Sequence, residues 1–400
     1  MRNPSAAAHF KDPVLLISAV ALKYTLTSKT LRSPTVPRRD VEQKMVGSPS
    51  ENKSPKSPRP PEDGLEPDAE DAEAAAHQAE NTIEAGEEPD DGYESDSASR
   101  ASTSLSSSVR DYAFENGRRY HKFREGHYQF PNDEPEQARE DMKHAMVVNL
   151  CGGTLHYSPI KNPQRILDMG TGTGIWAIDM GDEYPGAEIL GIDLSPIQPS
   201  WVPPNVKFMV DDFESPWLHG DNYFDYVHGR HLSVAVKNMP KVLTEAYRSM
   251  KPGGWIELQD LLHRAHCDDG TMSDDYLVQK WLGFVAAGLA ALGPDLLAAE
   301  KNAQYLRDAG FVNVEERIFK IPIGLWPKNK KLKMVGLYGR MMIYDGLEGN
   351  SLGPFTRGLG WTPEQVQVFL VDVRKALLDN SVHAYLPFHC IYGQKPPSID

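Results

Sequence analysis

The stretch RILDMGTGTGIWAIDM, residues 165–180, places three glycines within five positions between two apolar segments. Glycine weakens the interior of a strand or a helix, so its crowding here indicates a turn. The apolar segment at 165–170 predicts a buried strand, and the segment that starts at Ile175 predicts a helix. A strand that passes through a glycine-rich turn into a helix is typical of an open α/β sheet.

The chain after this turn repeats the alternation of strand and helix. Further strands are predicted at 188–193, 206–212, 223–229, 254–261, 312–323 and 383–395. Helices are predicted at 133–150, 241–250, 273–309 with a break near 292–295, and around 330–345 and 362–379. This pattern predicts an α/β fold with a mostly parallel sheet and helices on both faces. We assign residues 161–400 to that domain, with helical insertions at about 273–309 and 328–379.

The spacing of the glycines indicates the class of ligand. A dinucleotide site reads GxGxxG, whereas this turn reads GTGTG and continues with Ile175, so the dinucleotide pattern is missed. The form DxGxGxG is typical of S-adenosylmethionine enzymes. Gly170 would make the tight turn, Gly172 would let the ligand approach the backbone, and Gly174 would start the helix close to the sheet. The predicted cofactor contacts in this turn are Asp168, Gly170, Thr171, Gly172, Thr173 and Gly174.

The ends of the next three strands supply the rest of the predicted site. Asp193, followed by Leu194, would accept hydrogen bonds from a ribose, although an aspartate there could instead cap a helix. Asp211, Asp212 and Phe213 would border an adenine, unless the two aspartates are solvated loop residues. The fourth strand ends near the expected position of the methyl group and supplies His228, Arg230 and His231.

Two histidines are candidate bases. A base is needed only where the methyl acceptor must lose a proton. His228 and His231 are candidates by position alone, and a single histidine there is more often structural. The three cysteines, Cys151, Cys267 and Cys390, are far apart, which predicts neither a disulfide framework nor a metal site.

The segment 111–160 is predicted to be a helical segment that covers the cofactor site. Its aromatic part, residues 120–134, precedes the first strand of the sheet, and Tyr120, Tyr128 and Asn132 would close over the cofactor. These side chains could equally anchor the segment to the core. Asp133 is positioned to cap the predicted helix at 133–150, with Glu136 and Arg139 opposite its apolar face.

Residues 1–110 are predicted to form a disordered tail. The tail is rich in Pro and Ser, and large apolar side chains are rare in its second half. Residues 62–96 carry 15 acidic and no basic residues, against a whole-chain charge of −14, so the rest of the chain sums to +1. This near-neutral remainder gives no basic surface for nucleic acid. The apolar run at 13–22 is too short to span a bilayer, and EDAEAAAHQAE at 70–80 could form a transient helix.

From about Tyr112 onward the chain resembles the LaeA-like S-adenosylmethionine-dependent methyltransferases of fungi. The resemblance rests on long blocks, among them 120–141, the glycine turn with its flanks, FDYVHGR (224–230) and KPGGWIELQD (251–260). It implies a doubly wound, seven-stranded Rossmann-like sheet whose last strand is antiparallel. His231 departs from the family pattern, where a larger apolar residue is expected.

The resemblance leaves two functions open. One is methylation of an acceptor, either a small natural product or a protein. The other is a regulatory protein of a nuclear complex that keeps the cofactor site with little turnover. A nicotinamide-dependent reductase is disfavoured by the missing GxGxxG pattern. We expect a cytoplasmic or nuclear protein, with a mitochondrial presequence as the less favoured reading of the basic N-terminus.

Overall fold

Strands and helices alternate along most of the chain. The structure is a computed structural model in which residues 69–83 and 112–398 are described. Its strands are β1 (Tyr112–Glu115), β2 (Arg118–His121), β3 (Arg165–Met169), β4 (Glu188–Asp193), β5 (Val206–Val210), β6 (Phe224–Arg230), β7 (Met250–Leu261), β8 (Val312–Pro322) and β9 (Tyr385–Gln394). Its α-helices are α1 (Ala69–Ala79), α2 (Glu134–Leu150), α3 (Ile175–Glu183), α4 (Met239–Ser249), α5 (Leu277–Ala290), α6 (Asn302–Asp308), α7 (Lys330–Gly353) and α8 (Pro363–Leu377).

Seven of these strands form one sheet in the order β5-β4-β3-β6-β7-β9-β8. The pairings from β5 through β7 are parallel, and β9 runs antiparallel to both of its neighbours. The glycine turn follows the central strand β3, next to the point where the strand order reverses. This topology confirms the doubly wound sheet and its antiparallel last strand, and it places a ligand crevice at the carboxyl ends of β3, β4 and β6.

Helices cover both faces of the sheet, as predicted. On one face, Trp176 and Met180 of α3 pack against Ile166 and Tyr226 of the sheet. On the other face, residues of α4 and α6 pack against β3, β6 and β7 in a second cluster. The near-continuous apolar character of the central strands follows from this burial on two sides.

A third apolar cluster lies at the carboxyl end of the sheet. Its members include residues from α2, α5, α7 and α8, together with Leu261 of β7 and Phe388 of β9. The indole Nε1–H of Trp281 on α5 donates to Ser351 Oγ on α7 at 2.8 Å, which links the two inserted helices inside the cluster. The helices α5, α7 and α8 therefore form a helical cap over the edge of the sheet where the ligand crevice lies, and we call the third cluster the cap cluster. The helix α6, at the end of the predicted insertion 273–309, packs on a face of the sheet instead.

The helix α2 begins where the sequence predicts it. Asp133 has an extended backbone and its carboxylate accepts the backbone N–H of Glu136 at 3.3 Å. The same carboxylate accepts two hydrogen bonds from Arg118 on β2, at 2.6 and 2.8 Å. The cap thus also fixes the hairpin to the start of the helix.

Two features of the N-terminal part differ from the predicted assignment. The segment 111–160 is not helical at its start, because β1 and β2 pair as an antiparallel hairpin through Asn116 and Gly117, both with positive φ. The helix that the sequence predicts as transient at 70–80 is present as α1, and it is docked, because Ala75 and Ala79, and Ile83 after the helix, are buried in the cap cluster. Apart from residues 69–83, the stretch 1–110 lies outside the described residues.

Within residues 69–83 and 112–398, no helix combines the length and the apolar character needed to cross a membrane.

Candidate functional site: a cofactor cleft beside an inner cavity

The glycine turn is held in a left-handed conformation by tertiary contacts. Gly170, Gly172 and Gly174 have φ of +65°, +56° and +82°. A Cβ on Gly174 would overlap the ring of Phe208 on β5, so this glycine lets α3 start against the sheet. A Cβ on Gly172 would meet no protein atom within 4 Å. The space above Gly172 is therefore left free for a ligand, as the sequence predicts.

Asp193 is bound to that turn at the end of β4. Its Oδ2 accepts the backbone N–H of Gly172 at 2.9 Å, and its Oδ1 accepts the backbone N–H of Ser195 at 2.8 Å. Burial raises the pKa of Asp193 to about 6, although both backbone hydrogen bonds favour the carboxylate. Each carboxylate oxygen keeps further lone pairs, so Asp193 can still accept hydrogen bonds from a ligand.

Asp168 supports the turn from below. Its Oδ2 accepts the hydroxyl of Thr171 at 2.6 Å, and its Oδ1 lies 2.8 Å from Nδ1 of His228. His228 is completely buried and stacks on Trp176, with ring centroids 3.6 Å apart. These contacts make Asp168 and His228 parts of the scaffold beneath the turn. The geometry does not support His228 as a base.

The carboxyl end of the sheet opens into a cleft that holds about 790 Å³ of empty space, part of it open to solvent. We call it the cofactor cleft. The predicted site residues that line it are Tyr128, Asn132, Gly170, Gly172, Thr173, Asp193, Leu194, Phe213, Arg230 and His231. The predicted residues outside its lining are Tyr120, Asp168, Thr171, Gly174, Asp211, Asp212 and His228.

The predicted site residues that do not line the cleft have other partners. Arg357 lies over the ring of Tyr120, with its guanidinium carbon 5.3 Å from the centroid, so Tyr120 anchors the hairpin. Asp212 accepts the hydroxyl of Ser215 at 2.8 Å and lies 3.6 Å from Arg124. Asp211 accepts the backbone N–H of Asp212 at 2.8 Å. These aspartates therefore order the loop after β5, as the solvated-loop alternative allowed.

The segment 122–132 crosses the cofactor cleft as a strap. Asn132 donates from Nδ2 to the hydroxyl of Ser195 at 3.1 Å, which joins the strap to the loop after β4. Arg124 donates to Ser215 at 3.3 Å on the far side. Tyr128, Pro131 and Asn132 face the cleft, so the strap forms its outer wall.

Four charged side chains of α2 form a network that the sequence reading missed. Glu136, Glu140 and Lys143 line the cofactor cleft, and Arg139 lies behind them. Arg139 pairs with Glu136 and Glu140, and Lys143 pairs with Glu140 at 2.6 Å. We expected Glu136 and Arg139 to face away from the core, but both are at most 6% exposed. The i,i+3 spacing of opposite charges along α2 could have predicted this network from the sequence.

A second cavity lies directly behind the cofactor cleft. This inner cavity holds about 620 Å³ of empty space, part of it open to solvent, and is lined by apolar side chains of the cap, among them Trp281, Val285, Leu296 and Met342. Five residues line both spaces, namely Tyr128, Glu140, Lys143, His231 and Val234. The two spaces are therefore neighbours that share one wall.

His231 lies in this shared wall in a strained conformation. Its φ is +58°, and its backbone N–H donates to Gln259 at 2.8 Å. Among the described residues, neither ring nitrogen has a hydrogen-bond partner although the side chain is buried. Burial, helped by Lys143 and Arg230, lowers the pKa of His231 well below its usual value. His231 is therefore a neutral imidazole with its polar atoms uncommitted.

Comparisons with known proteins point to one family. A family model described as a methyltransferase domain matches residues 140–316. The methyltransferase pytC of Aspergillus terreus is 40% identical, with the match covering 74% of this chain and 91% of pytC. The secondary metabolism regulator LAE1 of Cochliobolus heterostrophus is 37% identical over 70% of this chain and 94% of LAE1. The protein-methionine methyltransferase laeA of Emericella nidulans is 33% identical over 70% of this chain and 76% of laeA.

Proposed function

Because the chain belongs to the LaeA-like methyltransferase family of fungi, we propose that it transfers a methyl group from S-adenosylmethionine to a small-molecule acceptor. The observation that carries this proposal is that the cofactor cleft and the inner cavity lie side by side. The cofactor cleft lies at the glycine turn, and a mostly apolar cavity shares a wall with it. An apolar cavity beside the cofactor suits a small, mainly apolar molecule as the methyl acceptor.

The residues of the cofactor cleft fit S-adenosylmethionine. The free space above Gly172 would accept the methionine part close to the backbone, and Asp193 would accept hydrogen bonds from the ribose hydroxyls. Phe213 supplies an apolar surface for the adenine.

The chain's own residues would orient the reactants and exclude water. When bound, S-adenosylmethionine supplies an electrophilic methyl group whose leaving group is a neutral thioether. The strap with Tyr128 and Asn132 covers the cleft, and side chains of the cap line the inner cavity. Alignment of the two reactants and exclusion of solvent are the main contributions that such a transfer needs from a protein.

A second function has support from the names of relatives. LAE1 is called a secondary metabolism regulator and laeA a protein-methionine methyltransferase. By this analogy the chain would methylate a protein, or would act in a regulatory complex with little turnover. The apolar lining of the inner cavity favours the small-molecule acceptor.

A transfer assay with S-adenosylmethionine labelled at the methyl group tests the proposal. The purified chain is incubated with a fungal metabolite extract and, separately, with nuclear proteins. We expect label in an organic-soluble product, and much less label with Asp193→Ala at a cofactor concentration near the wild-type dissociation constant. Label in protein alone would overturn the small-molecule acceptor. Calorimetric titration with S-adenosylmethionine and with NADPH identifies the cofactor independently of the transfer assay. Failure to bind S-adenosylmethionine would overturn the whole proposal.

A further inference from the structure

The inner cavity carries uncommitted polar atoms in an otherwise apolar wall. In the part of the chain that the structure describes, Nδ1 of His263, Oδ1 of Asn350 and both ring nitrogens of His231 are buried without a hydrogen-bond partner. All three side chains line this cavity. Buried polar atoms normally have partners, so these atoms meet either water or a polar group of a ligand in the cavity.

The unpaired atoms are mainly acceptors. Oδ1 of Asn350 can only accept a hydrogen bond, and a neutral imidazole offers one accepting nitrogen. Burial lowers the pKa of His263 to about 4, and Lys143 nearby acts in the same direction. Both His231 and His263 are therefore neutral at pH 7. The cavity needs a ligand that donates hydrogen bonds.

The charges along the cavity balance each other. The cationic side chains of Arg139 and Lys143 are paired with the carboxylates of Glu136 and Glu140. Neither a carboxylate ligand nor an ammonium ligand would find an unmatched opposite charge. A carboxylate would also place its acceptor oxygens against the acceptor atoms of the wall. These points favour an uncharged ligand.

We propose, building on the proposed methyl transfer, that the inner cavity binds the acceptor as a compact, mainly apolar molecule whose hydroxyl group meets His231. His231 is in the wall shared with the cofactor cleft, so a hydroxyl at its ring lies on the side of the methyl donor. The hydroxyl oxygen forms the new bond to the methyl carbon while the carbon–sulfur bond breaks and leaves its electron pair on sulfur. The hydroxyl proton moves to the unprotonated nitrogen of His231 and from there to solvent.

His231 suits this role through its position. Its left-handed backbone aims the ring at the boundary between the two spaces, and strained residues of this kind concentrate at functional sites. His263 and Asn350 line the inner cavity but not the wall that it shares with the cleft. They would accept hydrogen bonds from further donor groups of the methyl acceptor.

Equilibrium dialysis with 2-naphthol and naphthalene tests the recognition of the hydroxyl group without relying on turnover. We expect the wild-type chain to bind 2-naphthol at least about tenfold more tightly than naphthalene. His263→Phe and His231→Asn should each reduce this ratio severalfold. His266→Phe is the matched control, because His266 also has an unpaired buried nitrogen but lines neither space, and the ratio should stay unchanged.

The outcomes separate this proposal from the previous one. Equal binding of the two probes, or binding of neither, would overturn the hydroxyl-binding cavity even where S-adenosylmethionine binds normally. Selective binding of 2-naphthol without binding of S-adenosylmethionine would support the cavity and overturn the proposed methyl transfer. Because His231→Asn keeps a residue that tolerates positive φ, loss of its fold is not expected to obscure the result.

Discussion

The backbone N–H of Gly172 donates to Oδ2 of Asp193 at 2.9 Å, which fixes the glycine turn after β3 to the end of β4. One carboxylate therefore does two tasks. It holds the turn in place and it offers its remaining lone pairs to the cofactor cleft. The first two predictions separate the contribution of Asp193 from that of the glycines.

Replacement of Asp193 by alanine should weaken the binding of S-adenosylmethionine. A charge-assisted hydrogen bond to the ribose contributes about 1.5–3 kcal/mol, which corresponds to roughly 10- to 150-fold in affinity. Isothermal titration calorimetry measures the difference. The matched control is Asp211→Ala, at the end of the next strand and outside the lining of the cleft, where we expect a change below about twofold. Similar losses in both variants would contradict the assignment of Asp193.

Two glycines of the turn should respond to substitution in different ways. Gly172→Val places a branched side chain in the free space of the cleft, so it should abolish cofactor binding at concentrations that saturate the wild type. Gly174→Ala places a Cβ against the ring of Phe208, so it should chiefly lower the melting temperature. Thermal unfolding and titration, measured on both variants, check this.

The glycine comparison needs its own control, because a positive φ makes any side chain unfavourable. Gly253→Val serves here, since Gly253 has a φ of +81° and open space around the Cβ but does not line the cleft. We expect it to lower the melting temperature and to leave cofactor binding unchanged. If Gly172→Val bound the cofactor like the wild type, the position of the ligand above the turn would be wrong.

Sequence periodicity was enough to predict the sheet, because each strand of the central sheet is a short apolar run next to a helix or a turn. The spacing of Gly172, Gly174 and Asp193 was enough to place them together at the turn after β3. Their contacts with a cofactor stay a prediction. The face of the sheet to which a side chain points was harder to predict. His228 was expected at the cleft, yet it has the parity of Tyr226 on β6 and so faces α3 instead.

The remaining misses have identifiable physical causes. The hairpin of β1 and β2 has strands of four residues, too short for a periodic signal, but the pair Asn116–Gly117 is a known hairpin turn and was available. The inner cavity could not be found at all, since α2, α5 and α7 meet there from distant parts of the chain. The docking of α1 was hidden because its buried residues are mostly alanines.

Cofactor affinity should decrease as the pH falls through the pKa of Asp193. Burial raises that pKa to about 6, so lowering the pH from 7 to 5 protonates the carboxylate and removes its charge. We expect affinity to drop by roughly tenfold over this range, which calorimetry at several pH values would measure. Asp260 has a pKa of about 6 as well. Asp193→Asn therefore serves as the control, since Asp260 still titrates in it and its affinity should be nearly independent of pH.

The raised pKa of Asp193 also affects the stability of the fold, which should decrease as the pH rises, whereas cofactor affinity should increase. A carboxyl group whose pKa is higher in the folded than in the unfolded chain lowers the free energy of unfolding as the pH rises from about 4 to about 6. Denaturation of the cofactor-free chain should show a decrease in the free energy of unfolding over this pH range, and Asp193→Asn should make that decrease smaller. An unchanged decrease in the variant would assign the effect to other groups.

The helix α1 should contribute to the stability of the domain through its buried face. Ala79 is completely buried against the cap cluster, whereas Ala74 on the same helix is exposed. Ala79→Asp would place a charge in an apolar contact, so the helix should detach and the free energy of unfolding should fall by about 1–2 kcal/mol. Ala74→Asp adds the same charge to the same helix and should change it by less than about 0.5 kcal/mol. Urea denaturation of the full chain compares the two, and equal effects would mean that α1 does not dock on the domain.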